Sequence, residues 1–230
     1  MATPPPFYAN TPDDTHCFQA ALRMVMKHFQ PEKEYGWHEL DELSGKQEGF
    51  WTWPQQSLLK LRDMGYHVVD IDVFDYPRFI AEKGDYLADL YGKQEARVQI
   101  EHSDIDHEVG IATQFVAAGI HEKRVPSVED IGSYLRNGFL VVCTINSRTI
   151  NGREGFVGHF VVVYKIDTNT VTFHDPGLPG QRGRTVKVEE FVKAWAYGGP
   201  ETPELMALKW QGRNHVPVRE KLALPRPSLR

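Results

Sequence analysis

The sequence predicts an α+β fold, and a change of hydrophobic period along the chain predicts it. Through most of the first 137 residues, apolar side chains recur at helical spacing, as in Phe18, Leu22, Val25 and Phe29. From Phe139 onward they gather in short runs rich in Val, Ile and Phe, the composition of strands. A helical N-terminal half packed on a C-terminal, mainly antiparallel sheet is the expected architecture. Neither a repeat nor a linker divides the chain. Residues 1–210 therefore read as a single domain, and the polar, Pro-containing residues 211–230 as a loose tail.

The elements follow in order. Residues 1–12 are a proline-stiffened lead-in. Asp13, Asp14 and Thr15 stand where helix caps belong, ahead of a helix that opens near Cys17 and stops near Pro31. A short helix over 37–43 ends at Gly45. Pro54 opens another, which Gly65 closes. His67 to Val73 has strand composition, and 75–123 is mostly helical. Ser127 caps a helix running to Asn137-Gly138. Phe139 to Ile145 is a continuous apolar run, as in a buried central strand. A glycine-containing polar loop leads to the strand His159–Ile166, which forms a hairpin with Val171–Phe173. Thr185–Val188 reads as a strand, Glu189–Trp195 as a short helix and Leu205–Trp210 as a last strand.

Composition sets limits on function. At 230 residues the chain can bury a substantial core. A net charge of −5 argues against a nucleic-acid partner. No apolar run is long enough to span a membrane, and Met1 to Pro6 lacks the character of a signal peptide, so a cytoplasmic protein without a membrane partner is expected. Two cysteines, Cys17 and Cys143, are too few for a disulfide framework or a cysteine-based zinc site.

Cys17 falls in the first turn of its helix, where free N–H groups and the helix dipole favour a thiolate. A cysteine on such a helix can equally be core filler. His159 opens a strand just after Gly158, and Asp175 follows the returning strand in His174-Asp175-Pro176-Gly177. The sixteen residues from His159 to Asp175 accommodate a strand, a turn and a return, which brings both side chains to one end of the hairpin. A carboxylate on one imidazole nitrogen leaves the other free to take a thiol proton. Strand alternation turns His174 to the opposite face.

Together, the Cys17 helix, Gly158-His159-Phe160-Val161-Val162-Val163 and Phe173-His174-Asp175-Pro176-Gly177 resemble the papain-like cysteine peptidases that cut bacteriocin precursors after a double-glycine leader, and more closely their stand-alone relatives. Val188 to Trp195 is similar to that family's closing helix. The resemblance covers roughly residues 7–30 and 127–197, and residues 45–125 carry none of it. It implies a papain-like fold with Cys17 as nucleophile, His159 as general base and acid, and Asp175 as orienter. The family usually has Gly-Pro after the cysteine, where this chain has Phe18-Gln19. It usually places a Gln six residues before the cysteine, lining the oxyanion hole. Here that position is Thr11, beside Asn10, and these two are the oxyanion-hole candidates, with Gln19 a weaker one.

The implied function is a cysteine-dependent hydrolase, a peptidase acting on a peptide or acyl-amide substrate through a thioester. An acyltransferase or transpeptidase with the same triad, and a catalytically weak peptide-binding relative, are the alternatives. No cofactor is implied. The stretch Glu101-His102-Ser103-Asp104-Ile105-Asp106-His107-Glu108 is dense in potential metal ligands, but a solvated acidic loop or helix start is the commoner case, so no metal is expected. Trp51 and Trp53 suit core packing or a groove wall. Arg182, Arg184 and Lys187 read as a solvated basic patch.

Overall fold

The computed structural model describes residues 3–196 and 202–212. Residues 213–230 of the expected tail lie outside the described residues. In chain order the elements are α1 (Cys17–Phe29), α2 (Trp37–Ser44), α3 (Gln55–Met64), β1 (Tyr66–Asp72), α4 (Tyr76–Glu82), α5 (Gly84–Tyr91), α6 (Lys93–Glu101), α7 (Ile105–Ala118), β2 (His121–Lys123), α8 (Val128–Arg136), β3 (Leu140–Asn146), α9 (Ser147–Ile150), β4 (Gly158–Ile166), β5 (Thr170–Asp175), β6 (Gln181–Lys187), α10 (Val188–Trp195) and β7 (Leu205–Trp210). This is a mixed α+β arrangement. None of the described helices is long and apolar enough to cross a membrane.

The strands form one sheet in the order β2-β1-β7-β3-β4-β5-β6. Every neighbouring pair is antiparallel except β1 with β2. The sheet is therefore not confined to the second half of the chain. β7 supplies the reason. Residues Leu205 to Leu208 are wholly buried, and β7 inserts between β3 and β1, pairing Leu205 with both Cys143 and Ile71. An apolar strand of this kind needs a partner on each edge, and β1 provides the second.

Two apolar layers flank the sheet. On one side α1, α3, α4 and α7 pack over Val142, Val162, Met206 and Leu208. On the other, α8 and α10 cover Val141, Val161, Val163 and Phe173 with Ile131, Phe191 and Trp195. Alternation along β4 sends Phe160 and Val162 toward α1, and Val161 and Val163 toward α8 and α10.

α1 is the central helix of the first layer. Its residues Ala20 to Val25, apart from Arg23, are wholly buried. Its start is held by Phe18, whose ring lies 4.6 Å from that of Phe160. Cys17 precedes the first of these rings in sequence, and His159 precedes the second. The expected caps Asp13, Asp14 and Thr15 do not serve α1. Its N-cap is His16, and no side chain caps the helix. The chain turns instead at Asp14, which takes a left-handed φ of 60°. Asn10 Oδ1 accepts the His16 N–H at 2.7 Å, which fixes the turn from outside the helix.

Phe18→Ala is expected to lower stability by about 3–5 kcal/mol, the usual cost of deleting a buried aromatic ring. Urea unfolding followed by far-UV circular dichroism measures it, and a loss under about 1 kcal/mol would show that the ring does not hold the helix start.

Candidate active site

β4 and β5 bring His159 and Asp175 together. Val162 pairs with His174, so the end of β5 lies beside the start of β4. His159 Nε2 is 2.7 Å from Asp175 Oδ1, with both side chains buried. Cys17, half-buried at the start of α1, lies near enough to His159 and to the Phe160 backbone N–H for both to act on its thiol. Since Nε2 is engaged with Asp175, Nδ1 is the nitrogen left for the sulfur.

Two further groups hold Asp175. The Gly177 N–H donates to Oδ1 at 3.0 Å, and Arg184 Nη1 donates to Oδ2 at 3.0 Å. Arg184 is anchored in turn by donating Nη2 to the Ile150 carbonyl at 2.6 Å. Arg184 is thus no solvated patch residue but a partner of the buried acid. Nothing in the local sequence marks it, because the contact depends on the β5–β6 register, which pairs Phe173 with Arg184. Gly177 packs closely against the pair. A Cβ there would sit 3.0 Å from Asp175 Oδ1 and 3.4 Å from His159 Nε2.

Charge is distributed to favour an ion pair. Burial raises the Cys17 pKa, but the hydrogen bond and charge of His159, with the Phe160 N–H, outweigh it, and the thiol lies below its ordinary value. The charge of Asp14 opposes this shift. Burial alone would lower the His159 pKa. The hydrogen bonds and charges of Asp175 and Cys17 overcome it and push the imidazole up to about 10. For Asp175, burial works upward, yet His159, the Gly177 N–H and Arg184 bring it below the usual carboxylate range.

The region before Cys17 is a tight hydrogen-bonded loop. Asn10, also buried, donates Nδ2 to Asp14 Oδ1 at 2.7 Å and accepts from the backbone N–H groups of Thr11 and His16. One of its two amide hydrogens remains after the bond to Asp14. Its own backbone N–H donates to the Pro176 carbonyl at 2.7 Å, fastening the lead-in to the turn that follows Asp175. Thr11 Oγ1 donates to Asp13 Oδ1 at 2.6 Å and lies 2.8 Å from His16 Nδ1. Gln19 is wholly buried and donates Nε2 to Ser44 at 2.9 Å, so its amide group is held within the fold. His174 faces away from the pair, with Nε2 2.9 Å from the Pro5 carbonyl.

The other singled-out residues have separate surroundings. In the stretch 101–108, Glu101 pairs with Arg97, Asp106 with Lys83, Asp104 caps α7, and His102 stacks on Trp51. Trp51 is exposed, whereas Trp53 packs on Phe79 and donates to Ser103. Cys143 is wholly buried in β3, where burial pushes its thiol well above the ordinary value. Two surface depressions, lined by Gln30, Pro31, Met64 and Trp210 and by Met26, Leu43, Lys60 and Met64, share no residue with the Cys17 group.

No known protein family and no curated protein matches this sequence. Among solved structures, the chain is similar to the peptidase domain of Streptococcus ComA, a bi-functional ABC transporter involved in a quorum sensing pathway. Identity is 14%, the match covers 89% of this chain and 98% of that one, and the TM-score is 0.46.

Iodoacetamide at neutral pH is expected to alkylate Cys17 in the folded protein and to spare Cys143. The pH midpoint of labelling should lie below that of a free cysteine, about 8.5. His159→Ala should move it upward. Peptide mass mapping across a pH series reads both, and preferential labelling of Cys143 would overturn the assignment of the reactive thiol.

Proposed function

We propose that the protein is a cysteine-dependent hydrolase of papain-like fold, a peptidase in which Cys17 is the nucleophile, His159 the general base and acid, and Asp175 the group that orients the imidazole. One observation carries the reading: an imidazole whose charge acts on the helix-start thiol has its Nε2 2.7 Å from a buried carboxylate. A helix-start cysteine paired with histidine is a setting that yields a thiolate, and the thiolate is the attacking species.

In this mechanism the Cys17 thiolate attacks the carbonyl carbon of an amide, and the electron pair of the C=O bond moves to oxygen. That oxyanion is met by backbone N–H groups at the uncapped start of α1 and by the remaining Nδ2 hydrogen of Asn10. Collapse of the intermediate breaks the C–N bond, and protonated His159 gives its proton from Nδ1 to the leaving amine. The neutral imidazole then takes a proton from water as that water attacks the thioester. The second collapse releases the acid and returns thiolate and imidazolium. Asp175 keeps Nε2 protonated throughout, and Arg184 keeps Asp175 ionised.

Cys17→Ala is expected to abolish hydrolysis of a peptide and acyl-ester library while leaving the fold unchanged by circular dichroism. Asp175→Asn should cut kcat by roughly 10²–10⁴, because the amide no longer fixes the imidazole tautomer. A Cys17→Ala protein that turns over substrate as fast as wild type would refute the proposal.

The active ion pair exists above the lowered Cys17 pKa and below the raised His159 pKa. The kcat/KM profile should therefore rise on the acid side, at a pH under the ordinary thiol value, and fall on the alkaline side near pH 10. A rate that continues to climb through pH 10 would show that His159 is not needed as an acid.

A further inference from the structure

A second cluster of chemically active side chains lies on the same sheet, on β1 and β2. Alternation along β1 puts Asp70 and Asp72 on one face. The parallel pairing of β2 sets His121 beside Asp70. One ligating atom from each of these three residues lies within 4.8 Å of the other two. His121 Nε2 is 2.8 Å from Asp72 Oδ1. Glu204, just before β7, brings a third carboxyl near enough for its charge to act on Asp70, and it accepts from the Thr144 hydroxyl at 2.6 Å.

Asp70 is what separates this cluster from an ordinary acidic group. It is wholly buried, and neither of its carboxylate oxygens has a hydrogen-bond partner. Buried carboxylates are otherwise paired or bound to cations. The nearby basic side chains are committed elsewhere, Lys123 to Asp75 and Arg124 to Glu122 and Asp130. The imidazole is walled by Tyr76 and Phe115, whose ring centres lie 4.8 and 6.4 Å from that of His121. Asp72 is oriented by the Phe74 N–H, which donates to its Oδ1 at 2.7 Å.

We propose that Asp70, Asp72 and His121 form a binding site for a divalent first-row cation of the Mn²⁺ or Zn²⁺ kind. Two ligands at about 2.1 Å from a cation stand about 3 Å apart at a right angle and about 4.2 Å apart across it, so the 2.8 Å pair already stands near the first spacing and a pair at 4.8 Å would close by about 0.6 Å to reach the second. One imidazole with two carboxylates is a nitrogen–oxygen donor set that suits such ions better than soft thiophilic ones. The Phe74 N–H orients one of these carboxylates, as outer groups do in metal sites. The cation would tie β2, a strand of three residues, to β1 and so fasten the end of the α4–α7 segment to the sheet.

The competitor for this site is a proton. Burial, with the charges of Asp72 and Glu204, favours the neutral carboxyl of Asp70. The experiment separates the two. The full chain, carrying Cys17→Ser so that no thiolate can hold metal, is stripped with EDTA, dialysed and offered Mn²⁺ or Zn²⁺. Expected are about one equivalent of metal per chain by elemental mass spectrometry and a melting temperature that climbs with free metal and falls again with EDTA. Asp70→Asn in the same background should lose both, while retaining wild-type circular dichroism. The proposal is overturned if the stripped protein takes up neither ion and its melting temperature ignores both. It is equally overturned if Asp70→Asn binds metal as well as its parent does. Uptake by the parent needs no variant at Asp70, so a misfolded Asp70→Asn would not obscure the result.

Discussion

The contact of Phe18 with Phe160 is the constraint on which the Cys17 group depends. Neither ring belongs to the proposed catalytic group, yet each follows, by one residue, a side chain that does. With the rings in place, the first turn of α1 and the first residues of β4 are fixed relative to one another, and the sulfur and imidazole have little freedom to separate. The chain enters α1 through a left-handed turn at Asp14 and a loop clasped by Asn10. The first layer of helices then buries α1 behind its reactive end.

The electrostatics form a graded series. Arg184 lies behind Asp175, Asp175 behind His159, and the charge of His159 acts on the Cys17 thiol. Each member shifts the next toward its charged form, and each shift works against burial. Asp14 acts in the other direction on the thiol, and its carboxylate is at the same time engaged by Asn10. The loop that orders the amide of Asn10 therefore also brings a negative charge toward the Cys17 thiol.

The parts of this arrangement that were legible in the sequence are those written in local period. The start of α1 at Cys17, the hairpin of β4 and β5, the Ser127 cap of α8 and the strand β7 all follow from spacing and turn residues. Sheet membership does not. β1 and β2 join through a parallel pairing across some fifty residues of helix, and no periodicity reports which strands meet. For the same reason the sequence drew attention to the acids and imidazoles of 101–108, which are adjacent in the chain and separate in space. It concealed Asp70, Asp72 and His121, which are distant in the chain and meet across two strands. Arg184 was hidden in the same way, since its role depends on the β5–β6 register.

The clasp between Asn10 and Pro176 has a consequence for when the thiol becomes reactive. Cys17 comes early in synthesis, while His159, the Pro176 carbonyl and Arg184 all come late. In an unfolded or half-made chain, Cys17 has neither its histidine nor its Phe160 N–H, and its pKa is that of an ordinary cysteine. The lowered thiol pKa thus requires β4 to be in place against α1. The electrostatic character of this thiol is therefore a property of the assembled sheet and not of the helix alone.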